Sequence, residues 1–183
     1  MAVSIEEQGY RETTVADVVR IAHTSRRSFY EHFEDRAACF LALFEEVNEE
    51  TMAQIAAAVA PDDPWEQQVD RALDAYLDSV TARPALYQSF VRELPGLGKA
   101  GSDSGLAVIE RFARLLVELV ESGRREQPEV VTEALTIDMA VIIVGGLREL
   151  VVFSLRRRRD LRETREGIGE AVKAILGAAV LGR

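Results

Sequence analysis

The sequence predicts an all-α protein of about nine helices. Three observations carry that prediction. Alternating apolar and polar runs, the mark of half-buried strands, are absent. Apolar residues recur instead at three- and four-residue spacing along nearly the whole chain. Proline is scarce, with 5 in 183 residues, while Ala, Leu, Val, Glu and Arg dominate.

The elements follow in order. Residues 2–8 read as a short helix stopped by Gly9. Thr14 offers an N-cap with Asp17 three residues on, a capping-box start for a helix reaching about Ala22. Ser25 caps the next, from Arg26 to about Phe33. Asp35 caps a long third helix carrying Phe40, Phe44, Val47, Ile55 and Val59, ended by Pro61. Asp63-Pro64-Trp65-Glu66 restarts the pattern with Asp as cap and Pro in the first turn. Trp65, Val69, Leu73, Tyr76, Leu77 and Val80 follow at helical spacing. Pro84 opens a helix through Tyr87 and Phe90 that Pro95-Gly96 closes. Gly96 to Gly105, rich in Gly and Ser, reads as a loop. Ile109, Phe112, Leu116 and Val120 form the next stripe, stopped near Gly123. A helix from about Thr132 to Arg158 and a last one from Leu161 to Leu181 complete the chain.

Composition narrows the possibilities. The net charge of −9 argues against non-specific coating of nucleic acid, yet leaves one small face undetermined. A single cysteine, Cys39, excludes an intramolecular disulfide, fits a reducing, cytoplasmic compartment, and reads as a small core hydrophobe. The start MAVSIEEQGY has neither the basic nor the apolar region of a signal peptide. Met139 to Leu155 is apolar, but Arg148 and Glu149 interrupt it. A central charge costs about 2.5–3.5 kcal/mol in a membrane, so a buried helix is expected there and no membrane partner. The run Arg156 to Arg159 reads as a solvated helix end matched to the helix dipole. No metal-spaced His or Cys cluster, phosphate-cradling Gly loop or nucleophile elbow occurs, so no enzyme, cofactor or metal is expected.

Thr13 to Phe44 carries the densest signal. Its first two helices are too short to stand alone, so Val15, Val18, Val19, Ala22, Phe29 and Phe33 must form a small shared core. The three-residue connection His23-Thr24-Ser25 sets a steep crossing, which is a helix-turn-helix. In that arrangement the N-terminal end of the second helix enters the major groove. Here it presents Arg26-Arg27-Ser28 and then Tyr30. Arginine can bond guanine O6 and N7 together, and Ser28, Tyr30 and His32 can bond phosphate oxygens.

The stretch TTVADVVRIAHTSRRSFYEHFEDRAACFLAL resembles the DNA-binding motif of the tetracycline-repressor (TetR) family of bacterial regulators. The family pattern runs roughly T-T-V-x-x-I-A-x-x-A-G-V-S-x-G-T-F-Y-x-H-F-x-x-K-x-x-L, with Ser25, Phe29, Tyr30, His32 and Phe33 in place here. VGGLRELVVFSL resembles the family's penultimate helix. The resemblance implies base contacts from Arg26, Arg27 and Tyr30, and phosphate contacts from Thr14, Ser28, His32 and Arg36. It implies a head over residues 1–44 and a ligand-binding, dimerising body over 45–183. It also implies a repressor that binds a palindromic operator in double-stranded DNA and is released by a small-molecule effector. Departures are His23 at the usual turn Gly, Val19 at a small Ala, Thr24 for Val, Arg36 for Lys, and the acid Glu31 on the reading side. If His23 must adopt positive φ, it carries a cost that Gly would not. The family's first helix is longer and follows a basic arm, so a form extended upstream is expected to bind DNA more tightly.

In the body, the helix over Met139 to Leu155 is apolar nearly all round and needs cover on more than one side. The final helix repeats Leu161, Ile168 and Ile175 every seven residues, with Val172 and Ala179 between. Gly145, Gly146, Gly167 and Gly169 leave room for close approach. The expectation is a homodimer through the helices at about 132–158 and 161–181, forming a four-helix bundle. Its two heads would address half-sites about 34–36 Å apart. Candidate effector contacts are Tyr76, Tyr87, Phe90, Phe112, Asp138 and Met139, with Asp138 read as a buried acid needing a partner. Arg148 and Glu149 are candidates for pairing across the dimer. The alternative to a regulator is a helical protein-interaction module that has lost specific DNA binding.

Overall fold

The computed structural model describes residues 1–157 and 159–181. Among these residues it contains nine α-helices, one 3-10 turn and no strand. The helices are α1 (Ala2–Gln8), α2 (Val15–Ile21), α3 (Arg26–His32), α4 (Arg36–Ala58), α5 (Trp65–Ala82), α6 (Pro84–Glu93), α7 (Gly98–Glu126), α8 (Ile137–Arg157) and α9 (Leu161–Val180). The 3-10 turn, Leu94–Leu97, lies between α6 and α7. Arg158, in the predicted basic run, lies outside the described residues. The chain divides into two compact units, residues 1–49 with 82–106 and residues 50–81 with 107–183.

In the first unit the predicted caps form as the local chemistry requires. Gly9 closes α1 at φ 84°, a backbone conformation that side chains disfavour. Asp35 Oδ1 accepts from the N–H of Ala38 at 2.7 Å, opening α4. The core is built on Ile5, Phe40, Leu86 and Phe90, with Phe40 and Leu86 wholly buried. Phe90 packs tilted on Phe40 at 5.4 Å and edge to face on Phe44 at 5.2 Å, ring centre to ring centre. Removing each such ring from water stabilises the fold by roughly 1.5–3 kcal/mol. A buried hydroxyl pair, Ser4 with Thr13 at 3.0 Å, satisfies two polar groups inside this core. Ala22, predicted to join the core, is exposed.

The predicted loop from Gly96 to Gly105 is mostly helix, since α7 begins at Gly98. Gly98, at φ 63°, turns the chain directly out of the 3-10 turn. Gly101 is there for space: a Cβ would lie 2.1 Å from the carbonyl oxygen of Leu94. Ser104 is buried and donates to Glu45 Oε1 at 3.0 Å.

In the second unit α7 continues three residues past Gly123, which packs against the Gln68 amide. Asp63, expected as a cap, pairs with Arg71 at 3.0 Å, and the Pro64 carbonyl accepts from the N–H groups of Gln67 and Gln68. The helix predicted from Thr132 begins at Ile137. The N–H groups of Thr132 and Glu133 both donate to the Val180 carbonyl at 3.0 Å, holding that segment on the end of α9. Val69, Ala113, Leu135, Ala140, Ile143, Leu176 and Val180 form the core. Arg165 pairs with Asp74, and Lys173 with Asp70 at 3.5 Å, fastening α9 to α5. The predicted Leu161–Ile168–Ile175 stripe divides: Leu161 and Ile168 are buried within the unit, and Ile175 is exposed. Gly169 allows close approach to Leu73 of α5, whereas Gly145, Gly146 and Gly167 face open space. No helix among the described residues is long and apolar enough to cross a membrane.

Candidate nucleic-acid interface

The α2–turn–α3 pair is defined residue by residue. Thr14 Oγ1 accepts from the N–H of Asp17 at 3.2 Å, and Asp17 Oδ2 accepts from the N–H of Thr14 at 3.0 Å. Both halves of the capping box are therefore present. The Thr14 hydroxyl also donates to Asp17 at 2.6 Å, and these bonds hold the Asp17 carboxyl below the usual carboxylate range. At the other end of α2 the N–H of Thr24 reaches the Val19 carbonyl at 2.9 Å, and that of His23 reaches Arg20 at 3.3 Å. This double closure is a Schellman motif, which needs a left-handed residue between helix and turn. His23 supplies it at φ 51°. Ser25 then caps α3, accepting from the N–H of Ser28 at 3.0 Å.

Behind α3, Val18, Phe29 and Cys39 are buried, with Val15, Val19 and Phe33 packed around them. Burial pushes the Cys39 thiol pKa up, so it stays protonated and inert. The rest of α3 is largely solvated: Arg26, Arg27, Tyr30, Glu31 and His32 are exposed, and Ser28 is half-buried. Arg27 Nε donates to Glu31 Oε1 at 3.0 Å. Over residues 1–44 there are seven acids against five arginines, so any anion affinity must come from this local face.

Arg36, expected at a phosphate, is engaged inside the head. Its Nη1 donates to the carbonyls of Tyr10, Arg11 and Thr13 at 3.0, 3.1 and 2.7 Å. Its guanidinium lies 4.3 Å from the centre of the Tyr10 ring. Burial raises the Tyr10 pKa, and the neighbouring Arg36 charge opposes that rise. Thr14 is likewise occupied by its capping box. Two further ties went unpredicted: Arg11 with Glu93 at 3.1 Å and Arg83 with Glu6 at 2.7 Å join α1 and its turn to the two ends of α6. Their partners are 82 and 77 residues apart, and no local pattern signals such pairs.

The candidate effector residues fall in both units. Tyr87 and Phe90 pack edge to face at 6.0 Å in the first, and Tyr76 and Phe112 at 6.2 Å in the second. Met139 packs on the core of the second unit. Asp138, expected to be buried, is exposed in the first turn of α8, where the helix N-terminus favours an acid. A cavity of about 50 Å³ in the second unit is lined by Trp65, Val69, Leu116, Leu176 and Val180 among others, and by none of these six. Arg148 and Glu149 pair with each other at 3.2 Å within the chain.

Residues 2–43 match the family model described as bacterial regulatory proteins, tetR family. No curated protein matches the sequence. Among solved structures, a TetR-family transcriptional regulator from Pectobacterium atrosepticum is similar at 25% identity and TM-score 0.69, over 98% of this chain and 89% of that one. A bacterial regulatory protein in the tetR family from Rhodococcus RHA1 is similar at 16% identity and TM-score 0.62, over 100% and 94%. A TerR/AcrR-family transcriptional regulator from Aquifex aeolicus is similar at 20% identity and TM-score 0.60, over 93% and 92%. Residues 2–43 therefore constitute the N-terminal, DNA-binding domain of the bacterial tetR-family regulatory proteins, set in a chain with the fold of TetR-family transcriptional regulators.

Proposed function

We propose that the chain is a cytoplasmic transcriptional repressor that binds a palindromic operator as a homodimer and is released by a small molecule. One observation carries the reading. A short helix, α3, is held by its Ser25 cap and by the buried Phe29 while Arg26, Arg27, Tyr30 and His32 stand in solvent. That is the arrangement in which a helix can enter the major groove and read base edges. Arg26, Arg27 and Tyr30 face bases in this reading, Ser28 and His32 phosphates, and Thr14 the adjacent backbone through the start of α2. Arg36 supports the head from within. The head comprises residues 1–44 and the body 45–183.

Dimerisation rests on an uncovered apolar face. Ile142 and Phe153 of α8 are 60% and 46% exposed, and Ile175 of α9 is 44% exposed. Large apolar side chains collected on two helices mark an interaction surface. Candidate effector contacts are Tyr87 and Phe90 in the first unit and, separately, Tyr76 and Phe112 with Asp138 and Met139 in the second.

The test is binding of the full chain to duplexes enriched from a random library, measured across salt concentrations. Affinity should fall steeply with salt, by about 0.9 in log–log slope for each phosphate neutralised. Arg27→Ala should change the preferred sequence. A shallow salt response and no sequence preference would favour the second reading, a protein-interaction module, which the acidic balance of residues 1–44 supports.

A further inference from the structure

Two exposed side chains on α3 are tied together. Arg27 Nε and Glu31 Oε1 are 3.0 Å apart, with the side chains 89% and 56% exposed. They are four residues apart, so they share one face of the helix, one turn from each other. An exposed pair of this kind adds little stability, so its chemistry is better sought in what the two groups present outward. The bond uses Nε of Arg27. It leaves both Nη groups available, and that edge of a guanidinium can match guanine O6 and N7.

Glu31 differs from every other exposed group on this helix in being acceptor-only. In the major groove, guanine offers two acceptors and thymine one, so a carboxylate is repelled by both. Cytosine offers the N4 donor. Adenine offers N6 but sets the N7 acceptor beside it, a pattern that suits an amide and not a carboxylate. One helical turn rises about 5.4 Å and one base step about 3.4 Å. A residue one turn beyond Arg27 therefore faces a base one to two steps along.

We propose that Glu31 is a specificity-determining residue of the head: it holds the Arg27 fork toward a guanine and itself requires a cytosine one to two steps away. The inference rests on α3 entering the major groove, as argued above. The acid biases the Arg27 side chain through the Nε bond and excludes sites that place guanine or thymine opposite it.

The experiment selects duplexes with randomised centres using the full chain, Glu31→Gln, Glu31→Ala and Arg27→Ala. Single-base variants of each selected site are then ranked by fluorescence anisotropy at one salt concentration. Gln keeps the shape of an exposed side chain, and circular dichroism checks that each variant is folded. The unaltered chain should select a guanine with a cytosine one or two steps from it. Glu31→Gln should lose roughly tenfold of the cytosine preference and favour adenine at that position alone. Glu31→Ala should accept all four bases there and weaken the guanine preference. Arg27→Ala should lose the guanine. If Glu31→Gln selects the same site with the same ranking of bases, the role of Glu31 is overturned while groove reading stands. If the unaltered chain selects no sequence at all, groove reading falls and this inference with it.

Discussion

The guanidinium of Arg36 lies 4.3 Å from the centre of the Tyr10 ring while its Nη1 donates to three carbonyls of one connection, those of Tyr10, Arg11 and Thr13. One cation thus ties the start of α4 to the connection between α1 and α2. Tyr10 in turn stacks on the wholly buried Phe40 at 4.2 Å, so the clamp is continuous with the core. Arg36→Ala removes the guanidinium donor from all three carbonyls, of which that of Tyr10 keeps another, the Thr13 N–H, and should destabilise the chain by about 2 kcal/mol in urea unfolding. Arg36→Lys should recover only part, because an ammonium has no planar face to lay on Tyr10. The salt slope of DNA binding should not change. A drop of about 0.9 in that slope would instead place Arg36 at a phosphate.

Gly101 meets the Leu94 carbonyl oxygen where a Cβ would stand, at 2.1 Å. Two effects oppose each other in Gly101→Ala. Alanine gains about 1 kcal/mol of helix propensity. The clash is with backbone, which cannot swing aside, and overpacking of this kind costs about 3 kcal/mol. The clash wins, so a net loss of about 2 kcal/mol is expected in thermal or urea unfolding. An unchanged or raised stability would mean that α7 does not start against the 3-10 turn.

That glycine also shows where sequence reading stops. A run of Gly and Ser signals a loop because Gly is flexible, but Gly serves equally where two backbones touch, and only the partner distinguishes the two. The partner of Gly101 is a carbonyl set by tertiary packing. The ion pairs Arg11–Glu93 and Arg83–Glu6 were hidden for the same reason. By contrast Gly9, the Thr14–Asp17 box and the Ser25 cap were legible, because each is satisfied within three or four residues. Asp138 was misread because an acid beside an apolar run is equally at home on a helix's first turn, facing water. The exposure of Arg26, Arg27 and Tyr30 followed from their place just after the turn, at the start of the second helix of the pair. The occupation of Arg36 did not, since its acceptors lie 23 to 26 residues away.

His23 holds the left-handed position of the Schellman motif at φ 51°. That conformation costs a residue with a Cβ about 1–2 kcal/mol. Glycine avoids this cost but loses about 0.5–1 kcal/mol through greater freedom when unfolded. His23→Gly should therefore stabilise by about 0.5 kcal/mol, and His23→Val should destabilise by about 1 kcal/mol because branching at Cβ worsens the clash. Thermal midpoints in the order Gly, His, Val are expected. The reverse order would show that the turn is not left-handed.

Asp17 is held below its ordinary pKa first by the Thr14 hydroxyl and then by the Thr14 N–H. The folded state therefore favours the ionised acid. Its contribution is complete above the unfolded value of about 3.9 and disappears as pH falls through the lower folded value. Asp17→Asn cannot ionise. Its deficit against the unaltered chain, followed by unfolding midpoints, should be constant near neutrality and shrink below about pH 4. A deficit that persists unchanged into strong acid would mean that the charge plays no part in the cap.

Ile142 is the most exposed of the apolar side chains on α8, at 60%, with Val141 at 38% and Phe153 at 46%. On α9, Ile175 stands exposed, and the neighbouring Gly167, Ala171, Ala174 and Ala178 are small and solvent-facing. Large side chains on one helix and small ones on the next are complementary shapes for a two-fold partner, in which each contact occurs twice. Burying one Ile is worth roughly 1.5–3 kcal/mol, so Ile142→Glu should remove at least about 3 kcal/mol across a symmetric pair. That is more than a hundredfold in dimer affinity. Light scattering at micromolar concentration should report a dimer for the unaltered chain and a monomer for Ile142→Glu. Operator binding should weaken with it, because a single head loses the second half-site. A dimer that withstands Ile142→Glu would move the interface elsewhere, and a monomer in both would remove the two-headed reading.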